Sequence, residues 1–155
     1  MIWSLRTRVI HWLIALPVLG NFVLEGGDIS HKVLGYSAMG MMLVRVLWGL
    51  VAKDHAHFSA FPFGQVFRPQ TNYPGHTPIA SWVYVFIWLL VGALGITGFM
   101  MSLDRFWGEE WLENIHTYLS NTLMILVLIH LLGVFFDSWR FRRRTWMGMI
   151  NGRRE

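Results

Sequence analysis

Two histidines in one strongly apolar stretch, His116 and His130, are the residues whose type and spacing point most clearly to chemistry. They are fourteen residues apart. At about 100° per residue this falls about 40° short of four full turns, so both imidazoles point from one face of a helix. Along the axis they lie roughly 21 Å apart. This spacing predicts one imidazole towards each side of a bilayer, where an ionisable group needs a partner.

Two further histidines, His11 and His31, lie in other apolar segments and are the candidate partners. The membrane orientation derived below places His11 at the depth of His130 and His31 at the depth of His116. Two imidazoles from two helices can hold one iron, as in haem b. A single histidine of this kind could be a hydrogen-bonded core residue, but four at two matched depths favour ligands. A zinc or copper site is the competing metal interpretation, and it would need three or four ligands at one depth.

The composition limits the class of protein. The chain has 155 residues, is 54% hydrophobic and has a mean hydropathy of +0.43, which favours one membrane domain over residues 1–155. It contains no cysteine, which excludes disulfides, thiolate-bound iron–sulfur clusters and thioether-linked haem, so any haem is non-covalent. The net charge of +4 comes from basic residues near the membrane ends, and nucleic acid is therefore not an expected partner.

The apolar segments predict an all-α fold, an integral membrane four-helix bundle with both termini cytoplasmic. The predicted spans are residues 8–25, 31–52, 79–101 and 113–136. The first segment, with Arg6 and Arg8 before it, could be a signal peptide. No small-x-small cleavage site follows it, however, and we expect a permanent span. Residues 53–78 form a polar loop that contains four of the five prolines.

The orientation follows from the distribution of Lys and Arg around the spans. Ten lie in the amino terminus, the 53–78 loop and the carboxyl tail: Arg6, Arg8, Lys53, Arg68, Arg140, Arg142, Arg143, Arg144, Arg153 and Arg154. The two opposite connections contain only Lys32 and Arg105, together with six acids: Glu25, Asp28, Asp104, Glu109, Glu110 and Glu113. The basic side is therefore expected to be cytoplasmic, and the acidic side periplasmic, in a multi-pass protein of the bacterial inner membrane.

Three other polar residues are candidate site residues. Arg45 lies well inside the second span, and Arg8 precedes the first histidine by one helical turn. A buried guanidinium needs a fixed anion. The interior of the spans offers no carboxylate, so a haem propionate is the predicted partner. The alternative is that Arg45 extends its side chain to the membrane interface. His76 precedes the predicted helix cap Thr77–Pro78 and is a candidate for quinone hydrogen bonding or proton transfer, unless it only completes the cap.

Several short motifs together resemble the prokaryotic cytochrome b561 family, over nearly the whole chain. The likeness is greatest to the branch that contains b-type cytochrome subunits of Ni–Fe hydrogenases and partners of periplasmic c-type cytochromes. The motifs are Arg8-Val9-Ile10-His11-Trp12, His31 to Tyr36, Arg45 to Gly49, Gly75 to Pro78, His116 with His130, and Met149 to Arg153.

This resemblance implies a four-helix protein with two haems b that moves electrons between the quinone pool and an extracytoplasmic redox partner. The family's axial ligands fall on His11, His31, His116 and His130. The partner would be a periplasmic c-type cytochrome or a subunit of a hydrogenase or dehydrogenase, and the chain could also form a homodimer. Two alternatives remain open: a stand-alone quinol oxidoreductase acting on superoxide, and a haem-free membrane transporter or scaffold.

Overall fold

The computed structural model describes residues 3–24, 27–53, 55–65 and 77–153. Their long helices are α1 (Leu5–Val23), α2 (Ile29–Val51), α3 (Pro78–Met101) and α4 (Glu110–Arg140). No strand occurs in these described ranges, and the predicted all-α fold is confirmed. The largest difference at a helix end is that α4 continues to Arg140, whereas the fourth span was predicted to end at residue 136.

The starts of three helices are stabilised by side-chain caps, which satisfy otherwise unpaired backbone N–H groups. Ser4 caps α1, and Asp28 caps α2 by accepting a hydrogen bond from the backbone N–H of His31 at 2.8 Å. Thr77 caps α3, and Pro78 is its first residue, as the sequence predicted. The cap at Asp28 therefore places His31 in the first turn of α2.

Three of the helices, α2, α3 and α4, are long and apolar enough to cross a membrane. Their outward surfaces are rich in exposed apolar side chains, such as Leu89, Ile125 and Phe135. Helix α1 is not among the three, and Arg6 and Arg8 lower its apolar character. Its 19 residues nevertheless extend about 28 Å, close to the ~30 Å of a hydrocarbon core. The chain is thus a helical membrane protein.

The bundle consists of two helical hairpins. Helix α1 packs along α2, α3 packs along α4, and α2 against α3 joins the two hairpins. At the α2–α3 seam the Met39 side chain occupies the space that a Cβ at position 95 would need, so glycine permits this close approach. The core between the helices is formed by the buried residues Ala38, Met42, Val91 and Leu123.

The described part of the α2–α3 loop folds back over α3. It contains two short 3-10 helices, Phe58–Ala60 and Phe63–Gln65. The Phe58 ring lies 5.8 Å from the Trp88 ring, and the Phe61 ring lies 6.4 Å from that of Tyr84. These aromatic contacts hold the described part of the loop against α3, at the end of the bundle that was predicted to be cytoplasmic.

Candidate functional site

The inner histidine pair consists of His11 on α1 and His130 on α4. The centres of the two rings are 6.4 Å apart, and their planes are inclined by 55°. Both residues are only partly buried. Helices α1 and α4 are not among the closely packed pairs of described helices, so the rings approach each other across a gap between the two hairpins. The Tyr84 ring also lies 5.5 Å from that of His130.

The outer histidine pair consists of His31, in the first turn of α2, and His116 on α4. Its ring centres are 6.2 Å apart, and the planes are inclined by 58°. This pair also joins the two hairpins, because α2 belongs to one and α4 to the other. The structure therefore brings together the same pairs that the depth argument predicted, with α4 contributing one imidazole to each.

The separation of the rings fits two imidazoles that share one metal ion. A bond between a first-row metal and an imidazole nitrogen is about 2.0–2.1 Å, and the ring centre lies about 1.1 Å behind that nitrogen, so collinear ligation needs about 6.3 Å between ring centres. The observed separations are 6.4 and 6.2 Å. The residues present therefore fit a group whose metal ion would be held between the two imidazoles of a pair.

Hydrogen bonds at the outer pair determine which nitrogen of each ring is protonated. Nδ1 of His31 lies 3.0 Å from the carbonyl oxygen of Leu24, which can only accept, so Nδ1 carries the hydrogen. Nδ1 of His116 lies 2.8 Å from the Thr97 hydroxyl oxygen. That hydroxyl donates its own hydrogen to the carbonyl of Ala93 at 2.9 Å, and so accepts from His116. Both rings thus keep the Nε2 lone pair for a metal.

The described residues contain no group of three or more His, Asp or Glu side chains arranged to hold a metal ion. Each level of this part of the bundle therefore offers two imidazoles rather than the three or four protein ligands typical of zinc. Two imidazoles at each level would instead suit a haem, whose macrocycle would supply the remaining ligands of the iron.

Arg45 is buried at the level of the inner pair. It is only 7% exposed, so its guanidinium is enclosed by protein. Its guanidinium lies over the Trp88 ring at 5.1 Å, and Nη2 donates to the carbonyl of Ala56 at 3.2 Å. Arg45 thus ties the loop to α2 beside the inner histidines, whereas His76, the other polar candidate of this side, lies outside the described residues.

Arg8 contacts the carboxyl tail. Its Nη1 donates to the carbonyl of Ile150 at 2.6 Å, and Trp12 Nε1 donates to the carbonyl of Met149 at 2.9 Å. The Nε of Arg8 is buried and has no hydrogen-bond partner among the described residues. The tail is therefore docked on α1 on either side of His11, a contact that sequence reasoning missed because its partners are backbone carbonyls.

Sequence reasoning also missed Thr97 and the carbonyl of Leu24, the two acceptors at the outer pair. Thr97 could have been noticed, because it is the only hydroxyl residue in the second half of the apolar helix α3. The Leu24 carbonyl carries no sequence signal. It is available because Leu24 is the C-cap of α1, where the last carbonyls of a helix have no intrahelical partner.

The fold and these pairs define a helical membrane protein that presents two imidazole pairs at two depths. A family model described as prokaryotic cytochrome b561 matches residues 2–152, and the chain belongs to that family. The resemblance carried by the short motifs is thereby confirmed. Membership implies haem b binding and electron transfer in the membrane. Neither the curated proteins nor the solved structures that were compared with the chain gave a match.

Proposed function

We propose that this chain carries electrons across the bacterial inner membrane through two haems b, one at each histidine pair. His11 and His130 would hold the inner haem, and His31 and His116 the outer one. The observation that supports this proposal best is the separation of the ring centres, 6.4 and 6.2 Å, between helices of different hairpins. Haem b bound there supplies a one-electron redox centre at each depth.

The protein's own residues hold the two levels in register. His116 and His130 lie on one continuous 31-residue helix, which keeps the levels roughly 21 Å apart along its axis. The mostly apolar helices keep bulk water away from the region between the two levels. At the inner level Arg45 is buried, and the buried Nε of Arg8 has no hydrogen-bond partner in the part of the chain that the structure describes. We propose that these cations interact with haem propionates.

We further propose that electrons pass between the quinone pool and a redox partner on the periplasmic side. The quinone would react at the cytoplasmic level, where Arg45 and the long 53–78 loop provide polar groups, with His76 as a candidate for hydrogen bonding or proton transfer. The partner would be a c-type cytochrome or a subunit of a hydrogenase or dehydrogenase. Direct reduction of superoxide by quinol is the alternative that needs no protein partner.

The decisive experiment is a reduced-minus-oxidised spectrum of the purified protein, together with its haem-to-protein ratio. We expect a b-type spectrum and two haems per chain. A ratio of one would overturn the two-level proposal, and a colourless protein would favour a transporter or scaffold.

Reduction by an added quinol tests where the quinone reacts. The His11→Ala variant should keep only the outer haem, and we expect a quinol no longer to reduce that haem rapidly. Unchanged reduction would place quinone elsewhere.

A further inference from the structure

The hydroxyl of Thr97 connects the backbone of α3 to the outer histidine pair through hydrogen bonds. Its oxygen is 2.8 Å from Nδ1 of His116. The same oxygen is 2.9 Å from the carbonyl of Ala93 and 3.2 Å from that of Leu94. A hydroxyl has one hydrogen and two lone pairs. Because the carbonyls can only accept, the hydroxyl hydrogen goes to α3's own backbone, and a lone pair faces His116.

The surrounding helix keeps this geometry fixed. A threonine whose hydroxyl donates to the carbonyl three or four residues earlier is restricted in its side-chain rotamers. The imidazole of His116 also packs against α3 beside Gly98, with its Cε1 in van der Waals range, 3.5 Å from the position that a Cβ of residue 98 would take. Thr97 and His116 are on adjacent helices of one hairpin, so their contact does not depend on the gap that the ring pairs bridge.

We propose that Thr97 is a positioning residue of the outer site, which holds the His116 ring as the tautomer with Nε2 free and tunes the redox potential of the iron that this ring would bind. The inference rests on the proposed function. A hydrogen bond from Nδ1–H to an acceptor fixes the orientation of a metal-bound imidazole and raises its basicity. A more basic ligand favours the ferric state, so Thr97 lowers the midpoint potential of the outer haem.

The experiment is a redox titration of purified Thr97→Val, followed by optical spectra. Valine keeps the shape of the side chain and removes the acceptor. We expect the midpoint potential of the outer haem to rise, by about 59 mV if the ferric state loses ten times more affinity than the ferrous state. We also expect haem affinity at this site to fall roughly 10–100-fold. The inner haem should titrate as in the wild type.

Two further variants separate this role from a general packing effect. Thr97→Ser restores the acceptor without the methyl group, and it should return the potential towards the wild-type value. Thr122→Val removes a threonine on α4 whose hydroxyl also donates to a carbonyl four residues earlier, that of Tyr118, but which is exposed. This matched control should leave both potentials unchanged.

The inference is overturned if Thr97→Val binds both haems with unchanged potentials, or if the valine and serine variants behave alike. If Thr97→Val loses the outer haem completely, retention of that haem by Thr97→Ser supports the inference, and its loss from both contradicts it. The His116→Ala variant tests the proposed function separately from the role of Thr97. If the outer redox step survives in that variant, the assignment of the site is wrong, whatever Thr97 does.

Discussion

Each imidazole at the outer level has a hydrogen-bond acceptor behind it, and the two acceptors differ in kind. His31 uses the carbonyl of Leu24 at the end of α1, whereas His116 uses the hydroxyl of Thr97. A substitution can remove the hydroxyl but not the carbonyl. The Leu24 carbonyl also lies at the partially negative carboxyl end of α1, which favours positive charge nearby. Because Thr97 can be replaced without changing the acceptor of His31, the two rings of the outer pair can be perturbed separately. The outer site is therefore the better one for measuring how the basicity of each imidazole affects the haem.

Replacement of single histidines by alanine tests the pairing. His11→Ala and His130→Ala should each remove the same redox step, because one remaining imidazole leaves the iron with a single protein ligand. His31→Ala and His116→Ala should each remove the other step. Redox titration followed by optical spectra measures both steps in every variant. If His11→Ala and His31→Ala abolish the same step, the pairing by depth is wrong.

The carboxyl tail, which follows α4, connects parts of the bundle that the packing of the helices alone does not join. It leaves α4 and forms the 3-10 helix Thr145–Met149. The buried Asp137 anchors it: the carboxylate accepts from Arg143 at 3.1 and 2.9 Å and also from the Thr145 hydroxyl. Beyond this anchor the backbone carbonyls of Met149 and Ile150 accept hydrogen bonds from the side chains of Trp12 and Arg8 on α1. The tail thus links the amino end of α1 to the carboxyl end of α4, the two helices that carry the inner histidines.

We expect Asp137→Asn to release the tail. The substitution removes the negative charge with which the partly buried Arg143 guanidinium pairs, and breaking a buried pair costs about 3–5 kcal/mol. Since 1.36 kcal/mol is a factor of ten, local opening should become at least roughly a hundredfold more frequent. Hydrogen exchange of the tail amides, such as those of Met147, Ile150 and Asn151, which donate within the tail, measures this opening.

The control for this change is Asp104→Asn, which removes the same charge from an exposed position at the opposite end of the bundle. It should leave exchange in the tail unaltered. Equal protection of the tail in Asp137→Asn and in the wild type would show that the Asp137 network does not anchor it.

At the scale of the whole molecule, the two ends of the bundle differ in charge. The end that carries the tail and the α2–α3 loop is basic, and the opposite end carries exposed carboxylates at Asp104, Glu109, Glu110 and Glu113. Part of this asymmetry accompanies membrane insertion. The carboxylates at the start of α4 also lie just before His116, beside the exposed Trp107 and Trp111. A soluble partner with a basic rim would be attracted to the end nearest the outer pair.

Electron transfer to such a partner should slow as ionic strength rises. The Debye length falls from about 30 Å at 0.01 M salt to about 8 Å at 0.15 M, and electrostatic steering acts mainly on the association rate. The combined change Glu109→Lys and Glu110→Lys should lower the second-order rate constant at low salt, measured by stopped-flow spectroscopy. Lys53→Glu, an exposed charge reversal at the opposite end, serves as the control.

An unchanged rate constant in both the salt series and the charge-reversed variant would show that the partner does not dock through these carboxylates. Association with a permanently bound subunit of a hydrogenase or dehydrogenase would then be the better description, because a bound partner needs no diffusional encounter.

Much of the fold followed from one-dimensional properties of the sequence. Apolar length predicted the helices, Lys and Arg counts predicted an orientation, and the cap at Thr77 followed from residue type. The fourteen-residue spacing of His116 and His130 predicted a shared helix face because helical geometry is fixed by the backbone. Depth then limited the partners of these rings to His11 and His31, since residues at different depths cannot meet.

The tertiary structure alone decided which side chains contact one another at a given depth. Depth does not specify the rotation of a helix about its axis, and that rotation brings Thr97 to His116 and lays Arg45 over Trp88. The sequence equally could not reveal that Arg8 contacts the carbonyl of Ile150, because every residue has a carbonyl and only the path of the chain selects one. Spacing along one helix is therefore readable from sequence, whereas contacts between helices depend on how their side chains pack.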